Sequence, residues 1–195
     1  MGIIRQPTLI HWNYFLAIED SVQTLNRYVD FSSDNDNTYS IEIARILMAA
    51  SAEVDVVLKQ LCKALEPDST ADNINQYHDL LTSRIQSFKS FKVLIPTQGL
   101  ELTPWISWEN GTPPIWWTAN NKVKHHRHDH FEKASLKNCL NAVAALYISV
   151  LHLYAPQANS GELLQLPKLL NLEDSYFGGT NMGRFGVIFK YRINV

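Results

Sequence analysis

The sequence predicts a mainly α-helical fold, a bundle of four or five helices that ends in a β-hairpin. Apolar residues repeat with heptad spacing over about 25 residues before Pro67, and again over residues 131–154. The last residues instead alternate between apolar and polar side chains, which is the period of a strand. We therefore expect a single domain over residues 1–195, with a helical bundle at 13–154 and a C-terminal extension at 155–195 that carries the hairpin.

Composition places the chain among ordinary globular proteins. It has 195 residues, of which 46% are hydrophobic and 18% charged, and this excludes a disordered chain. The net charge of −2 excludes a polycationic surface, so any contact with nucleic acid must be local. Because Cys62 and Cys139 both lie in apolar, helix-like surroundings, we expect buried free thiols in a reducing compartment. We expect a cytoplasmic protein that does not enter a membrane, since the start lacks the layout of a signal peptide.

The first helices follow from apolar periodicity and from one cap. Residues 13–30 form one apolar helix face. Ser40 is a favourable N-cap, and Glu42 lies in the first turn, where a negative charge suits the helix dipole. A third helix is predicted over residues 72–91. The heptad positions of the second helix are Leu47, Ser51, Val54, Leu58, Leu61 and Leu65.

The middle of the chain predicts a long ordered loop and then one or two helices. Residues 93–114 are rich in proline and glycine, but they contain tryptophans that we expect to pack in the interior. A helix begins at Ile115. The capping-box spacing of Asp129 and Glu132 indicates a break near His130, and it stays open whether residues 115–154 are one helix or two. Pro156 is expected to end this helical region. For the tail we expect a Gly-rich turn at 178–183 and then a strand from Phe185 to Ile193.

One segment combines positive charge with histidine. Residues 115–139 contain five lysines and arginines against two acidic residues, a balance of +3, and four of the seven histidines. On one continuous helix, His125 and its helical neighbours would lie near the apolar seam and face the bundle or its mouth, whereas Arg127 would point away. A histidine held beside lysine and aspartate can transfer protons near neutral pH. An inward histidine is nevertheless more often a hydrogen-bonded core residue. The neighbours of His125 that share this predicted position are Lys122, Asp129 and Glu132.

This segment resembles a known family. Residues 120–125, Asn-Asn-Lys-Val-Lys-His, lie just before a heptad-patterned final helix and resemble the Arg-Asn-x-x-x-His motif of the HEPN superfamily. HEPN domains are compact helical bundles found in many nucleases of RNA. On the second helix, the four-residue spacing of Asp55, Lys59 and Lys63 is also similar to a pattern seen there. The resemblance covers roughly residues 13–154 and leaves out the β-like tail.

The resemblance implies a set of site residues and one departure. His125 would take the position of the catalytic histidine and Asn121 the polar position, with Lys122 beside them. Asn120 stands where the family has its catalytic arginine. Metal-independent cleavage of RNA needs a proton-transfer group and a cation for the charge that develops on the phosphoryl oxygens. Asn120 cannot supply this charge, so a neighbouring cation such as Lys122 or Lys124 would have to do so.

Two functions follow from the resemblance. The first is a HEPN-like domain that binds RNA or a partner protein without cleaving. The second is a metal-independent ribonuclease of a toxin or defence system that uses His125. In both cases we expect a homodimer, RNA or an antitoxin-like protein as partner, and no cofactor. The expected nucleic-acid contacts are Lys122, Lys124, His126 and Arg127.

Other interpretations of the same region are open. His125, His128 and Glu132, at i, i+3 and i+7, have a spacing that can place side chains on one metal ion, as do His126 and His130. No second ligand-rich segment accompanies them, so we predict no metal site. The tryptophans at 105, 108, 116 and 117 could stack bases, but packing within the loop is the simpler interpretation. The hairpin strand could add to a partner's sheet, and packing onto the bundle is again simpler.

Overall fold

The computed structural model describes residues 8–183 and 186–195. Within these ranges the fold is mainly helical and ends in a β-hairpin, which confirms the predicted fold class. The helices are α1 (Ile10–Leu25), α2 (Ile41–Leu65), α3 (Ile74–Arg84), α4 (Ile115–His130), α5 (Leu136–Leu153) and the short α6 (Ala155–Ser160). The strands are β1 (Val93–Ile95), β2 (Leu100–Leu102), β3 (Asn171–Leu172), β4 (Phe177–Gly183) and β5 (Gly186–Tyr191).

The centre of the fold is the pair α2 and α5. Their first residues are joined by an antiparallel bridge between Tyr39 and Ser135, and the Leu136 N–H donates to the Thr38 carbonyl at 2.8 Å. The two helices therefore start at the same end of the bundle and run in the same direction. The predicted N-cap of α2 is confirmed, since Ser40 Oγ accepts from the Ile43 N–H at 3.1 Å. The predicted heptad positions of α2 are buried, apart from Leu65, which is partly buried.

Residues 115–154 form two helices. α4 has non-helical backbone at His126 and ends at His130, and a short 3₁₀ turn at 131–133 follows. α5 then begins at Leu136, where Ser135 Oγ accepts from the Asn138 N–H at 3.4 Å. The N-cap is therefore Ser135, and the predicted capping box at Asp129 is wrong. Asp129 lies inside α4, where no new helix starts.

α5 is apolar enough and long enough to cross a membrane by length and composition alone. Its mean hydropathy is 1.3 over 18 residues, and 78% of that stretch is buried inside the fold. The apolar side chains of α5 therefore contact α1, α2 and α4 rather than forming an exposed apolar surface. An aromatic stack between Phe15 and Tyr147, with centroids 4.9 Å apart, is one of these contacts.

The long loop contains strands that the sequence pattern did not predict. β1 lies between β2 and β3 in a three-stranded antiparallel sheet, so residues 171–172 pair with a strand almost eighty positions earlier. The predicted packing of the tryptophans is confirmed: Trp105 and Trp108 are buried, with ring centroids 4.3 Å apart. Strands of two or three residues are too short to show the alternation that identifies a strand in a sequence.

Three further predictions need correction. The third helix ends at Arg84 rather than near residue 91, because Ile85 leaves the helical conformation. Pro156 does not end the helical region but lies in the first turn of α6, where its missing N–H is not needed. Residues 178–183 are not a turn but belong to strand β4. A Cβ atom at Gly178 would lie 2.4 Å from the Tyr191 carbonyl oxygen, so this glycine allows close approach of the two strands.

The hairpin packs onto the bundle. Tyr191 and Ile193 are buried, and the Tyr191 hydroxyl lies 3.1 Å from the hydroxyl of Tyr147 on α5. The predicted second strand is confirmed in part, since β5 covers residues 186–191. Phe185, where we expected it to begin, lies outside the described residues.

Candidate functional site

The predicted site residues lie on the last turns of α4. We call residues 121–130 the basic segment: it has three cations against one carboxylate, and it holds four histidines. Almost every side chain in it is exposed. The buried face of α4 has the helical spacing i, i+3, i+4 and i+7, and Val123 is the one residue of the basic segment that belongs to it, so the other side chains of the segment lie toward solvent. The buried residues of α4 are Trp116, Ala119, Asn120 and Val123.

The prediction that His125 faces the bundle is wrong. His125 is exposed, as are Lys122, Asp129 and Glu132, which were expected beside it. The apolar face of α5 does not continue on α4, because the chain leaves the α-helical conformation between His130 and Leu136. The rotational positions of side chains on α4 are therefore unrelated to those on α5. The projection of one continuous helix therefore placed these residues on the wrong face.

The candidate catalytic residues share one exposed surface. Asn121 and His125 are four residues apart on α4, and Lys122 and His125 are three apart, so these side chains are neighbours on the helix. Lys124 has the same relation to Asn121. Within residues 8–183 and 186–195, neither Lys122 nor Lys124 has an ion-pair partner. Their charges are free to meet an external anion.

The remaining predicted contacts extend this surface. Arg127, expected to point away from the bundle, is exposed but reaches across to α2, where Nη2 lies 3.3 Å from Met48 Sδ. His126 lies at the kink, and its ring centroid is 6.5 Å from that of His125. His128 Nε2 lies 2.9 Å from Asp129 Oδ2. Exposed pairs of this kind contribute little to stability, so the surface is available for other contacts.

Asn120 does not belong to this surface. Its side chain is 8% exposed, and its Oδ1 has no hydrogen-bond partner among the residues that the structure describes. Five positions separate Asn120 from His125, which places the two side chains roughly 140° apart around the helix. An arginine at position 120 would therefore put its charge against the interior. The cation of any phosphate site here has to come from Lys122, Lys124 or Arg127.

A groove of about 550 Å³ begins at Ser135, five residues after the end of the basic segment. It is formed by the loop before α2, by β2 and the turn after it, and by the first turns of α4 and α5. Asn138 and Asn141 on α5 donate their amide N–H groups to the carbonyls of Lys133 and Lys137, at 3.0 and 2.9 Å. Their Oδ1 atoms are left as acceptors at the groove. Its volume is within the range of small-ligand sites.

Two polar clusters on α2 have structural roles. The ring nitrogens of His11 contact Glu53 and Gln60, so this histidine joins α1 to α2. Asp55 and Lys59, part of the family-like spacing, form an ion pair at 2.6 Å. Burial and the neighbouring Asp55 raise the pKa of the Tyr77 hydroxyl, which donates to Asp55 Oδ1 at 2.8 Å and fixes α3 to α2.

Both cysteines lie in the interior, away from the basic segment. Cys62 and Cys139 are buried and free, as expected. Burial raises the pKa of Cys62 to about 11 and that of Cys139 to about 12, so both remain protonated thiols. In the described part of the chain, no group of three or more His, Cys, Asp or Glu side chains converges in a way that could hold a metal ion.

The signals for this site were partly visible in the sequence. Charge and histidine content identified the basic segment, but nothing local related it to the groove, whose walls come from three distant stretches of the chain. Comparison of the chain with protein-family models, curated proteins and solved structures gives no match to any of them. The functional conclusion therefore depends on the geometry of the basic segment and of the groove.

Proposed function

We propose that the chain is a HEPN-like domain that binds RNA through the basic segment. The observation that carries this proposal is the exposure of three cations and three histidines along the last turns of α4, in a chain whose net charge is −2. Lys122 and Lys124 have no ion-pair partner in the described ranges, so binding a phosphate does not require breaking an internal contact. Neutralising phosphates with such cations releases counterions and drives association.

RNA suits this surface better than a folded protein partner does. The exposed positions of the basic segment carry charged, amide or imidazole side chains, and protein interfaces are depleted of charged residues at their centre. Histidine and asparagine side chains can also donate hydrogen bonds to phosphate oxygens and sugar hydroxyls. An antitoxin-like protein is the second possible partner. The homodimer stays a prediction, and light scattering tests it.

We expect that replacing Lys122, Lys124 or Arg127 by alanine weakens RNA binding to a similar extent for every RNA sequence. Each loss of a phosphate contact should reduce the slope of log K against log salt by about 0.7 for a single strand. Fluorescence anisotropy of labelled oligonucleotides at several salt concentrations measures both effects. The matched control is Lys63→Ala, which removes an exposed lysine from the far end of α2.

The outcome separates the two kinds of partner. If the wild-type protein binds no RNA even at low salt, the proposal fails. If a protein that co-purifies with the chain is then lost from the Lys122, Lys124 and Arg127 variants, the basic segment is a protein interface instead. A Lys63→Ala effect as large as that of Lys124→Ala would show nonspecific attraction rather than a site.

Ribonuclease activity is the second candidate function, and the shared exposed surface of Asn121, Lys122 and His125 favours it. His125 is accessible to a substrate hydroxyl, and a lysine one turn away provides a point charge for the phosphate. The burial of Asn120 means that the cation differs from the one the family uses. Such an enzyme would act in a toxin or defence system, as the resemblance implies.

If the protein cleaves RNA, we expect His125→Ala to lower the cleavage rate by about a hundredfold or more and to leave binding nearly unchanged. General acid–base groups typically contribute 10² to 10⁴ to a rate. Single-turnover cleavage and anisotropy, measured on the same labelled RNA, give the two quantities. His128→Ala is the matched control, because it removes another exposed histidine of the same helix. Equal loss of cleavage in both variants would contradict the assignment of His125.

A further inference from the structure

An aromatic pair lies directly beyond the basic segment. Phe131 follows His130, the last residue of α4, and its ring centroid is 5.4 Å from that of Tyr39 in an edge-to-face arrangement. Tyr39 is 50% exposed, so a large part of its ring is open to solvent. The backbone under the pair is fixed by the bridge between Tyr39 and Ser135. An exposed aromatic ring with a fixed backbone therefore lies directly after the basic segment.

The groove begins close to this pair along both chain segments. Asn37 lies two residues before Tyr39, Ser135 lies four residues after Phe131, and both line the groove. The surface thus passes from the cations of the basic segment, over the aromatic pair, to the amide acceptors of Asn138 and Asn141. This surface is formed jointly by the segment around Tyr39 and by residues of α4 and α5, which are distant in the sequence.

Charges at the groove do not oppose an anionic ligand strongly. Each of its two carboxylates is paired: Asp36 Oδ2 lies 3.2 Å from Lys137 Nζ, and Glu101 Oε1 lies 3.0 Å from Lys92 Nζ. The groove therefore offers neutral hydrogen-bond acceptors and an apolar floor, and the phosphate-binding charges lie outside it. This separation of an aromatic and apolar surface from a cationic one matches the two parts of a nucleotide.

We propose that the Tyr39–Phe131 pair stacks a base of the bound RNA, and that the groove receives a neighbouring base. The proposal rests on the proposed function and names its ligand as single-stranded RNA. Bases of a duplex are already stacked and do not present their faces, whereas a single strand does. Asn138 and Asn141 each have an Oδ1 acceptor and a second amide N–H, so they can hydrogen bond to the edge of a base without selecting one base.

The test compares two single strands of the same length, an RNA oligonucleotide and a strand with abasic sugars. Stacking on an aromatic side chain contributes about 1–3 kcal/mol per base, so Tyr39→Ala should weaken binding of the RNA by roughly fivefold to a hundredfold. The affinity for the abasic strand should not change, because its phosphates still meet the basic segment. Lys124→Ala should weaken binding of both strands.

Two further variants control for folding and position. Tyr39→Phe retains the ring and should bind as the wild type does, and Tyr39→Leu retains apolar contact with Phe131 but removes the aromatic face. Phe177→Ala removes a comparably exposed ring, 42% accessible, from the hairpin. The hairpin contacts α5 at Tyr147 and also contacts α6, roughly 16 Å or more along α5 from its first residue, so this variant should have no effect.

Each outcome decides the proposal. Selective loss of RNA binding in Tyr39→Ala and Tyr39→Leu, with retention in Tyr39→Phe, supports base stacking. Equal weakening of both strands, or no change in either, overturns it while leaving RNA binding by the basic segment intact. If the wild-type protein binds the two strands equally well, the bases are not read and the proposal fails. If it binds neither strand, the proposed function fails as well.

Discussion

Glu19→Ala is expected to destabilise the protein by about 4 kcal/mol, because it leaves several backbone N–H groups without an acceptor. The Glu19 carboxylate is 3% exposed on α1. Its Oε1 accepts from the N–H groups of Leu169 and Leu170 at 2.8 and 2.9 Å, and its Oε2 accepts from that of Lys168 at 3.0 Å. One side chain therefore holds the segment that leads into β3 against the first helix.

Two variants separate this effect from a general loss of charge. Glu19→Gln keeps an oxygen for Leu169 and Leu170 but places an N–H group opposite Lys168, so we expect a smaller loss of about 1–2 kcal/mol. Asp20→Ala removes the neighbouring exposed carboxylate and should change stability by less than about 0.5 kcal/mol. Urea denaturation of the three variants gives the free energies. A Glu19→Ala effect no larger than that of Asp20→Ala would contradict the role of this carboxylate.

The long helices could be predicted because their burial is periodic in the sequence. On α2, the Ser40 cap and the heptad residues act over three to seven positions, which is the range that a pattern in one sequence can reveal. For the break between α4 and α5, the sequence left two alternatives open, one helix or two. The cap that decides it, Ser135, depends on the bridge to Tyr39, and that contact joins positions ninety-six residues apart.

The candidate site was predictable in its chemistry and not in its geometry. The charges of Lys122, Lys124 and Arg127 are a local property of the sequence, so the basic segment could be identified without a structure. The direction of His125 depends on where α4 ends, and the prediction for it failed for that reason. The contact between Tyr39 and Phe131 is long-range, and no periodicity could have related the two rings.

Glycines in the tail show a different reason for failure. Residues 178–183 have the composition of a turn, but two of their glycines, Gly178 and Gly183, lie where the strands approach closely. At Gly183, a Cβ atom would lie 2.4 Å from the side chain of Ile188 on β5. Composition alone does not distinguish a glycine that permits a turn from one that makes room for a neighbour.

Lowering the pH from about 6.5 to about 4 is expected to cost the folded state about 3 kcal/mol through His152 alone. This histidine is buried between the rings of Phe88 and Phe91, whose centroids lie 5.0 and 5.2 Å from its own. Its Nδ1 hydrogen bonds to the Ile148 carbonyl at 2.7 Å, and among the described residues its Nε2 has no partner. Burial lowers the pKa of His152 to about 4, from an ordinary value of 6.5, and the bond to Ile148 opposes this only in part.

The sign follows from which state binds the proton. Between pH 6.5 and 4, the unfolded chain protonates His152 while the folded protein keeps it neutral, so stability falls as the pH falls. Above 6.5 the contribution is fully present, and below 4 both states are protonated and the loss stops growing. Urea denaturation at pH 7 and at pH 4.5 should therefore show a larger decrease for the wild type than for His152→Leu, by roughly 2–3 kcal/mol. Carboxylates that protonate in this range affect both proteins alike and cancel in the comparison.

His125→Ala, which removes an exposed imidazole, should retain the wild-type decrease. A decrease in His152→Leu as large as in the wild type would show that another group is responsible.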